Sequence, residues 1–171
     1  MSIFKNLFGR NTNKQENNRL DIDALLAAPN SNNSIIELDN YIAELCSYGD
    51  KLEKLTSPQK TFFFNQNLER EINNGGFNQF FFNSSGDFAH ETITSLQTIG
   101  ANKTSAILQH AMDQFPGSKV PKDRDERQEI LQQIESVAND TWNELDQEFY
   151  KYEDNLHELN IGYVKENRKS F

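Results

Sequence analysis

Carboxylate side chains crowd one stretch near the end of the chain, and they are the first candidates for chemistry. Residues 129–158 contain nine acidic side chains and one basic side chain, Lys151, a local net charge of −8. On an α-helix, residues four apart share a face and lie about 6 Å apart along the axis. Five carboxylates fall on one face in this projection: Asp140, Glu144, Glu148, Asp154 and Glu158. Neighbours in such a row repel each other by about a few tenths of a kcal/mol, which a cationic partner relieves.

The projection assumes one continuous helix over residues 137–159. It places Val137, Leu145 and Phe149 on a buried stripe and most of the acids on the opposite, solvent-facing side. We therefore expect the five acids to bind a basic protein. A row of carboxylates can imitate DNA phosphates, which supply about one charge per 1.7 Å of axis. The most specific form of this prediction is therefore that the partner is a DNA-binding protein. Two such faces across a homodimer would approach that density better than one helix. The same pattern is typical of a solvated face that maintains solubility.

No other group of side chains has the spacing of a catalytic or metal site. His90, His110 and His157 are far apart and lack metal-ligand spacing, and we expect His110 to be buried or half-buried on a helix. Cys46 suits a small core side chain, because no neighbouring cation lowers the pKa of its thiol. The sequence contains no nucleophile elbow, no H-E-x-x-H helix and no phosphate loop. We therefore predict no catalytic, cofactor-binding or metal-binding residue.

An aromatic cluster follows the glycine pair Gly75-Gly76. Its members are Phe77, Phe80, Phe81 and Phe82. One interpretation is a ligand or partner groove, which would make the protein an enzyme with an aromatic pocket. The other, which we favour, is a hydrophobic plug that joins Phe62–Phe64 in a single core. The surrounding Asn and Gln side chains suit the capping of neighbouring helices and turns.

The elements that must position these residues are helical throughout. The first helix ends at Pro29, and Ser34 with Glu37 fits a capping box that opens the second. Ser57-Pro58 opens a third helix, which Gly75-Gly76 should end. Residues 88–99 and 103–115 predict two helices separated by Gly100, and a last helical segment follows Pro121. The prediction is an all-α fold.

The composition indicates how many domains the chain forms and in which compartment we expect it. The chain has 171 residues, a net charge of −9 and 36% apolar side chains, which suits one compact multi-helix domain. No stretch approaches the ~20 apolar residues that span a bilayer, so we expect no stable membrane association. One cysteine is typical of a reducing compartment, here the cytoplasm. The acidic balance argues against direct nucleic-acid binding.

The start of the chain differs in charge from the rest. Residues 1–20 carry a net charge of +3, and residues 21–171 carry −12. Residues 11–19 contain no apolar side chain, although Ile3, Phe4, Leu7 and Phe8 share one helical face before them. We expect residues 1–20 to form a disordered basic tail and residues 21–171 the helical domain.

Several short motifs between residues 50 and 165 resemble the bacterial DNA-mimic protein family. They are Asn74-Gly75-Gly76-Phe77, Gln79-Phe80, Asn83, Ser85-Gly86, Ile99-Gly100-Ala101 and, more weakly, Glu148-Phe149-Tyr150. The resemblance implies an all-helical, often dimeric protein without enzymatic activity. It also implies carboxylates that stand in for duplex phosphates and occupy the DNA-binding surface of a transcription regulator. The main hypothesis is therefore a non-enzymatic acidic protein that binds a basic or DNA-binding partner, and the alternative is an immunity-type inhibitor of a partner protein.

Overall fold

The computed structural model describes residues 20–171, so the predicted basic tail lies outside the described residues except for Leu20. The described part is built from seven α-helices joined by short 3-10 turns, and it contains no β-strand. The helices are α1 (Ile22–Ala27), α2 (Ser31–Leu45), α3 (Ser57–Phe82), α4 (Ala89–Thr98), α5 (Asn102–Met112), α6 (Arg124–Phe149) and α7 (Leu156–Glu166). The predicted all-α class is confirmed. None of these helices is both long and apolar enough to cross a membrane.

Polar side chains cap the starts of the helices, although not always the predicted ones. Asn30 caps α2 by accepting the amides of the first turn, so the helix begins before the predicted Ser34–Glu37 capping box. That prediction is wrong because Ser34 is buried inside the helix and donates its hydroxyl to the Leu25 carbonyl, 2.8 Å away. In α3 a capping box does form, but between Thr56 and Gln59, one residue earlier than expected.

Helix α3 is the central element, and it contacts α2, α4, α6 and α7. Its first half shares a core with α1, α2 and α7, and this core holds Phe62–Phe64. Its second half shares another core with α4, α5 and α6, and this core holds Phe77, Phe80 and Phe81. The predicted aromatic plug is therefore buried but does not join Phe62–Phe64 in one cluster, and Phe82 is 51% exposed.

The glycine pair divides α3 into two helical runs, because neither glycine has a helical backbone conformation. Gly76 adopts a left-handed conformation, with φ of +72°, and the helix resumes through Phe82. The carboxylate of Asp146 on α6 accepts the Phe77 amide at 2.9 Å. This bond caps the amide that the bend leaves free, because helix starts lack intrahelical acceptors. The prediction that the helix stops at the pair is therefore confirmed, and a second helical run follows directly after it, through Phe82.

The last helical segment is two helices and not one. Helix α6 ends at Phe149, Tyr152 has a φ of +47°, and Asn155 caps α7. The projection over residues 137–159 is therefore wrong beyond Phe149. It also misplaces Val137, which is 77% exposed and not part of the buried stripe.

Substituting Gly76 tests the bend. In Gly76→Ala, the new Cβ would lie 2.8 Å from Cγ of Asp146 in a left-handed conformation. The Asp146 carboxylate must then move and give up its bond to the Phe77 amide. We expect a loss of about 2–4 kcal/mol in the free energy of unfolding, measured by urea denaturation.

Gly117→Ala is the control for a positive φ alone, because Gly117 has ψ of 25° whereas Gly76 has ψ of −170°, which only glycine adopts readily. Gly117 is also left-handed, with φ of +63°, but no other atom lies within 4 Å of the position that a Cβ would occupy. This variant should lose about 1 kcal/mol. Equal losses for the two variants would contradict the role given to the Gly76–Asp146 contact.

Candidate protein-binding surface

Three of the predicted acids form a row on the solvent-facing side of α6. Asp140, Glu144 and Glu148 are all exposed and follow one another at intervals of four residues, about 6 Å along the axis. We call these three residues the acidic ridge. Within residues 20–171, no Lys or Arg nitrogen lies within 4.0 Å of their carboxylates. The ridge is therefore open to a cationic partner.

The exposed face of α6 extends further towards its start than the sequence projection covered. Glu126 and Glu129 are exposed and lie within about 60° of Asp140 around the helix axis. Val137 lies on the same face between the two acidic groups. From Glu126 to Glu148 the face is about 33 Å long. The sequence feature that could have predicted this longer face is Asp123, whose side chain caps α6 and fixes where the helix begins.

Asp154 and Glu158 lie on other elements. Asp154 is half-buried in the connection after α6 and accepts the backbone amide of Thr104 at 2.8 Å, which caps the start of α5. Glu158 is exposed on the first turn of α7, where it borders a shallow groove with Thr98 and Ile99. The structure brings Asp140, Glu144 and Glu148 together but gives Asp154 an internal partner.

The ridge ends beside two lysines. Glu148 borders a groove of about 410 Å³ together with Lys103 and Lys151. Lys103 pairs with Glu153 at 2.5 Å, and this hydrogen bond lowers the pKa of the Glu153 carboxyl. Glu148 is therefore the ridge carboxylate that shares a groove with lysines, although neither lysine lies within 4.0 Å of it.

A buried arginine anchors the start of α6. Arg127 is fully buried, and its guanidinium donates to the carbonyls of Phe81 (2.6 Å), Asn83 (3.0 Å) and Pro121 (2.7 Å). It also forms an ion pair of 2.5 Å with Asp87. A buried charge is tolerated only when it is paired and its donors are bonded, and both conditions hold here. Arg127 thus fastens α6 to the end of α3.

Gly86 makes room for this arginine. A Cβ at position 86 would lie 2.8 Å from Nε of Arg127 and 2.9 Å from the Phe81 carbonyl oxygen. Arg124, at the exposed first position of α6, lies 3.6 Å from the same Asp87 carboxylate. Asp87 therefore bridges a buried and an exposed arginine, and only the buried one is enclosed by carbonyls.

A second carboxylate organises the turn after α3. Glu71 accepts hydrogen bonds from Gln79 (2.7 Å), Asn83 (2.8 Å) and Ser85 (3.0 Å). These three donors come from the motifs that carry the family resemblance. Gln79 and Asn83 are therefore structural, but they bind a carboxylate instead of capping neighbouring helices and turns as predicted.

Asp146, another acidic residue of α6, is half-buried. Burial raises the pKa of its carboxyl, and the hydrogen bond from the Phe77 amide opposes that shift. Because the Asp146 carboxylate already accepts this internal hydrogen bond, it is less available to a partner than the carboxylate of Asp140.

The other side chains considered for catalysis or metal binding are the cysteine, the histidines and the phenylalanine cluster. Cys46 is fully buried, and burial raises the pKa of its thiol, as its predicted core role requires. His110 is exposed, so the expectation that it is buried or half-buried is wrong; its turn of α5 faces solvent. Among residues 20–171 no group of three or more His, Cys, Asp or Glu side chains could hold a metal ion. Phe77, Phe80 and Phe81 pack against one another or against Trp142 and do not line an open pocket as the enzyme hypothesis requires.

Replacing Arg127 tests the anchor of α6. In Arg127→Met, Asp87 and four carbonyls lose a buried donor, so we expect a loss of about 3–5 kcal/mol in the free energy of unfolding. Arg124→Met is the matched control, because Arg124 is 48% exposed and shares the Asp87 partner. It should lose less than about 1 kcal/mol in the same chemical denaturation experiment. Similar losses for both would contradict the anchor.

Neutralising the ridge should leave the fold intact. Because Glu144 and Glu148 are exposed, unpaired within the described residues and mutually repulsive, Glu144→Gln with Glu148→Gln removes no stabilising contact. We expect the free energy of unfolding to stay within about 0.5 kcal/mol, or to rise by a few tenths. A thermal unfolding curve at low salt measures this. A large loss would show that the ridge serves the fold.

Comparison with known proteins adds one match. The family model described as DMP19-like protein matches residues 53–167, which include the whole of α3 to α7. No curated protein and no solved structure matches the chain. The match covers more than half of the chain and contains the glycine pair, Glu71, Arg127 and the acidic ridge. The chain belongs to the DMP19-like family of DNA-mimic proteins.

Proposed function

We propose that the protein is a non-enzymatic DNA mimic whose acidic ridge occupies the DNA-binding surface of a regulatory protein. The observation that carries the proposal is that Asp140, Glu144 and Glu148 are exposed in a row on a firmly anchored helix, with no cation within 4.0 Å among the described residues. Family membership supports the same interpretation.

The electrostatics of such a surface favour fast and salt-sensitive binding. Carboxylates on a rigid helix attract a basic surface over several ångströms, which steers association and excludes acidic partners. Exposed charge pairs contribute little individually, so several must act together. A ridge of three acids, with Glu126 and Glu129 further along the same face, meets that requirement. Asp154 and Glu158 remain predicted contacts at the margin.

The proposal extends to assembly and compartment. Two copies that place their α6 faces side by side would raise the charge density towards that of duplex DNA, about one charge per 1.7 Å, which a single helix does not reach. A homodimer is therefore part of the proposal. We place the protein in the cytoplasm, where a regulator of transcription would be its partner. Because the protein is acidic, we propose no direct contact with nucleic acid.

Competition with DNA tests the proposed function. Proteins captured from a bacterial lysate on the full chain should be released by added duplex DNA, because both ligands need the same basic surface. The double reversal Glu144→Lys with Glu148→Lys should lower capture at least about tenfold, since like charges then face each other.

Glu135→Lys is the matched control for this experiment. Glu135 is exposed on α6 but lies about 140° or more from Glu144 and Glu148 around the axis. It should capture the partner normally. Equal capture by the reversed ridge, or a complex that DNA does not disturb, would contradict the proposal. Capture of one protein without DNA-binding activity would instead favour the immunity-type inhibitor.

A further inference from the structure

We propose that the shallow groove on α7 beside Glu158 receives an arginine side chain of the basic partner. The identity of the partner rests on the proposed function, whereas the preference of the groove for a guanidinium is testable without it. The groove has a volume of about 180 Å³ and lies between α7 and the end of α4. Small-molecule sites usually measure about 300–1,000 Å³, so this groove suits a single side chain.

A glycine in the middle of α7 keeps the groove open. Gly162 is the seventh of the 11 residues of the helix, where glycine is less stable than alanine. Among the described residues, no atom outside its own stretch of helix lies within 4 Å of the position that a Cβ would occupy. Packing inside the protein therefore does not require glycine here. A larger side chain would instead fill the groove that Gly162 lines, which points to an occupant from outside the chain.

The floor of the groove is apolar and partly aromatic. Ile99 is buried, and Leu159 and Tyr163 are half-buried side chains that pack against the core of α4, α5 and α6. An arginine side chain has an apolar stem that covers such a floor, and its planar guanidinium stacks on an aromatic ring. The compact and strongly hydrated ammonium of lysine suits this floor less well.

Carboxylates border the groove at both ends. Glu158, Gly162 and Glu166 follow one another at intervals of four residues on one side of α7, about 12 Å from the first to the last. Helical side chains lean towards the start of their helix, so Glu166 leans over Gly162. Both glutamates are exposed, and within residues 20–171 no Lys or Arg nitrogen lies within 4.0 Å of either carboxylate. A guanidinium above Gly162 can donate charge-assisted hydrogen bonds to both.

The groove lies within reach of a partner seated on the acidic ridge. Ile99 lines the α7 groove, and Lys103 lines the neighbouring groove that contains Glu148. Four residues of chain, at most about 14 Å, separate Ile99 from Lys103. Interfaces concentrate their binding energy in a few enclosed anchors, and arginine is prominent among them. The ridge would then attract the partner, and the α7 groove would hold one of its arginines.

Titration of the full chain with N-acetyl-arginine amide tests the groove without the partner. In two-dimensional NMR spectra, the largest shift changes should occur at the backbone amides of residues 158–166 and at the Ile99 methyl groups. N-acetyl-citrulline amide has the same shape without the charge, and it should produce at most about a fifth of these changes. N-acetyl-lysine amide should also produce smaller changes than the arginine compound.

Gly162→Leu fills the groove, and Asn40→Leu, at an exposed position of α2, is the control for an added surface leucine. Gly162→Leu should unfold at the same or a higher temperature than the native chain, because it replaces a helical glycine where a Cβ has open space. The shifts induced by the arginine compound should disappear in Gly162→Leu and persist in Asn40→Leu.

Binding of the captured DNA-binding protein tests how the groove is used. Gly162→Leu, and Glu158→Gln with Glu166→Gln, should each weaken this complex about five- to tenfold, whereas Asn40→Leu and Glu37→Gln should not. Shifts centred on another surface, equal shifts with citrulline, or unchanged partner binding by Gly162→Leu would overturn the inference. The proposed function still stands in that case if reversal of the ridge abolishes DNA-sensitive capture. Arginine binding in the groove, with a partner that DNA does not displace, would support the guanidinium site and contradict the proposed function.

Discussion

The buried guanidinium of Arg127 is the interaction on which the arrangement of helices depends. It joins the end of α3 and the turn containing Asp87 to the entry of α6, which follows about 40 residues later. Because a buried unpaired charge is far more costly than a paired one, these parts must stay together once the arginine is enclosed. Helix α6 is therefore fixed in position and in rotation about its axis. That rotation decides which of its side chains face solvent.

The motifs that identify the family serve this scaffold. Gly76 admits the Asp146 carboxylate, Gly86 admits Arg127, and Gln79 and Asn83 bind Glu71. None of these contacts involves the acidic ridge. The scaffold and the surface are therefore separable in sequence, and a chain can keep the fold while changing what its exposed helix binds. The motifs account for the architecture, and the charges on α6 account for the proposed partner.

Local signals predicted the helices well but failed where distant contacts decide the outcome. The glycine pair was predicted to end a helical run, but the new run that starts at Phe77 depends on a cap from Asp146, 70 positions after Gly76, which no local signal shows. The burial of Arg127 was not predictable from its type, since arginine is mostly exposed, although it occupies an inward-facing position four residues before Leu131. The ridge itself was predictable because four-residue spacing on one helix is a local property. Asp154 was not, because it follows the end of that helix.

The central claim is that the exposed face of α6 contacts the basic partner. Carboxyl labelling of the full chain, read by mass spectrometry with and without the captured DNA-binding protein, measures this directly. The account predicts that the partner protects Asp140, Glu144 and Glu148 from modification, while Glu135 on another side of the same helix and Glu37 on α2 are modified as before. Protection of Glu37 or Glu135 with an unprotected ridge would contradict it.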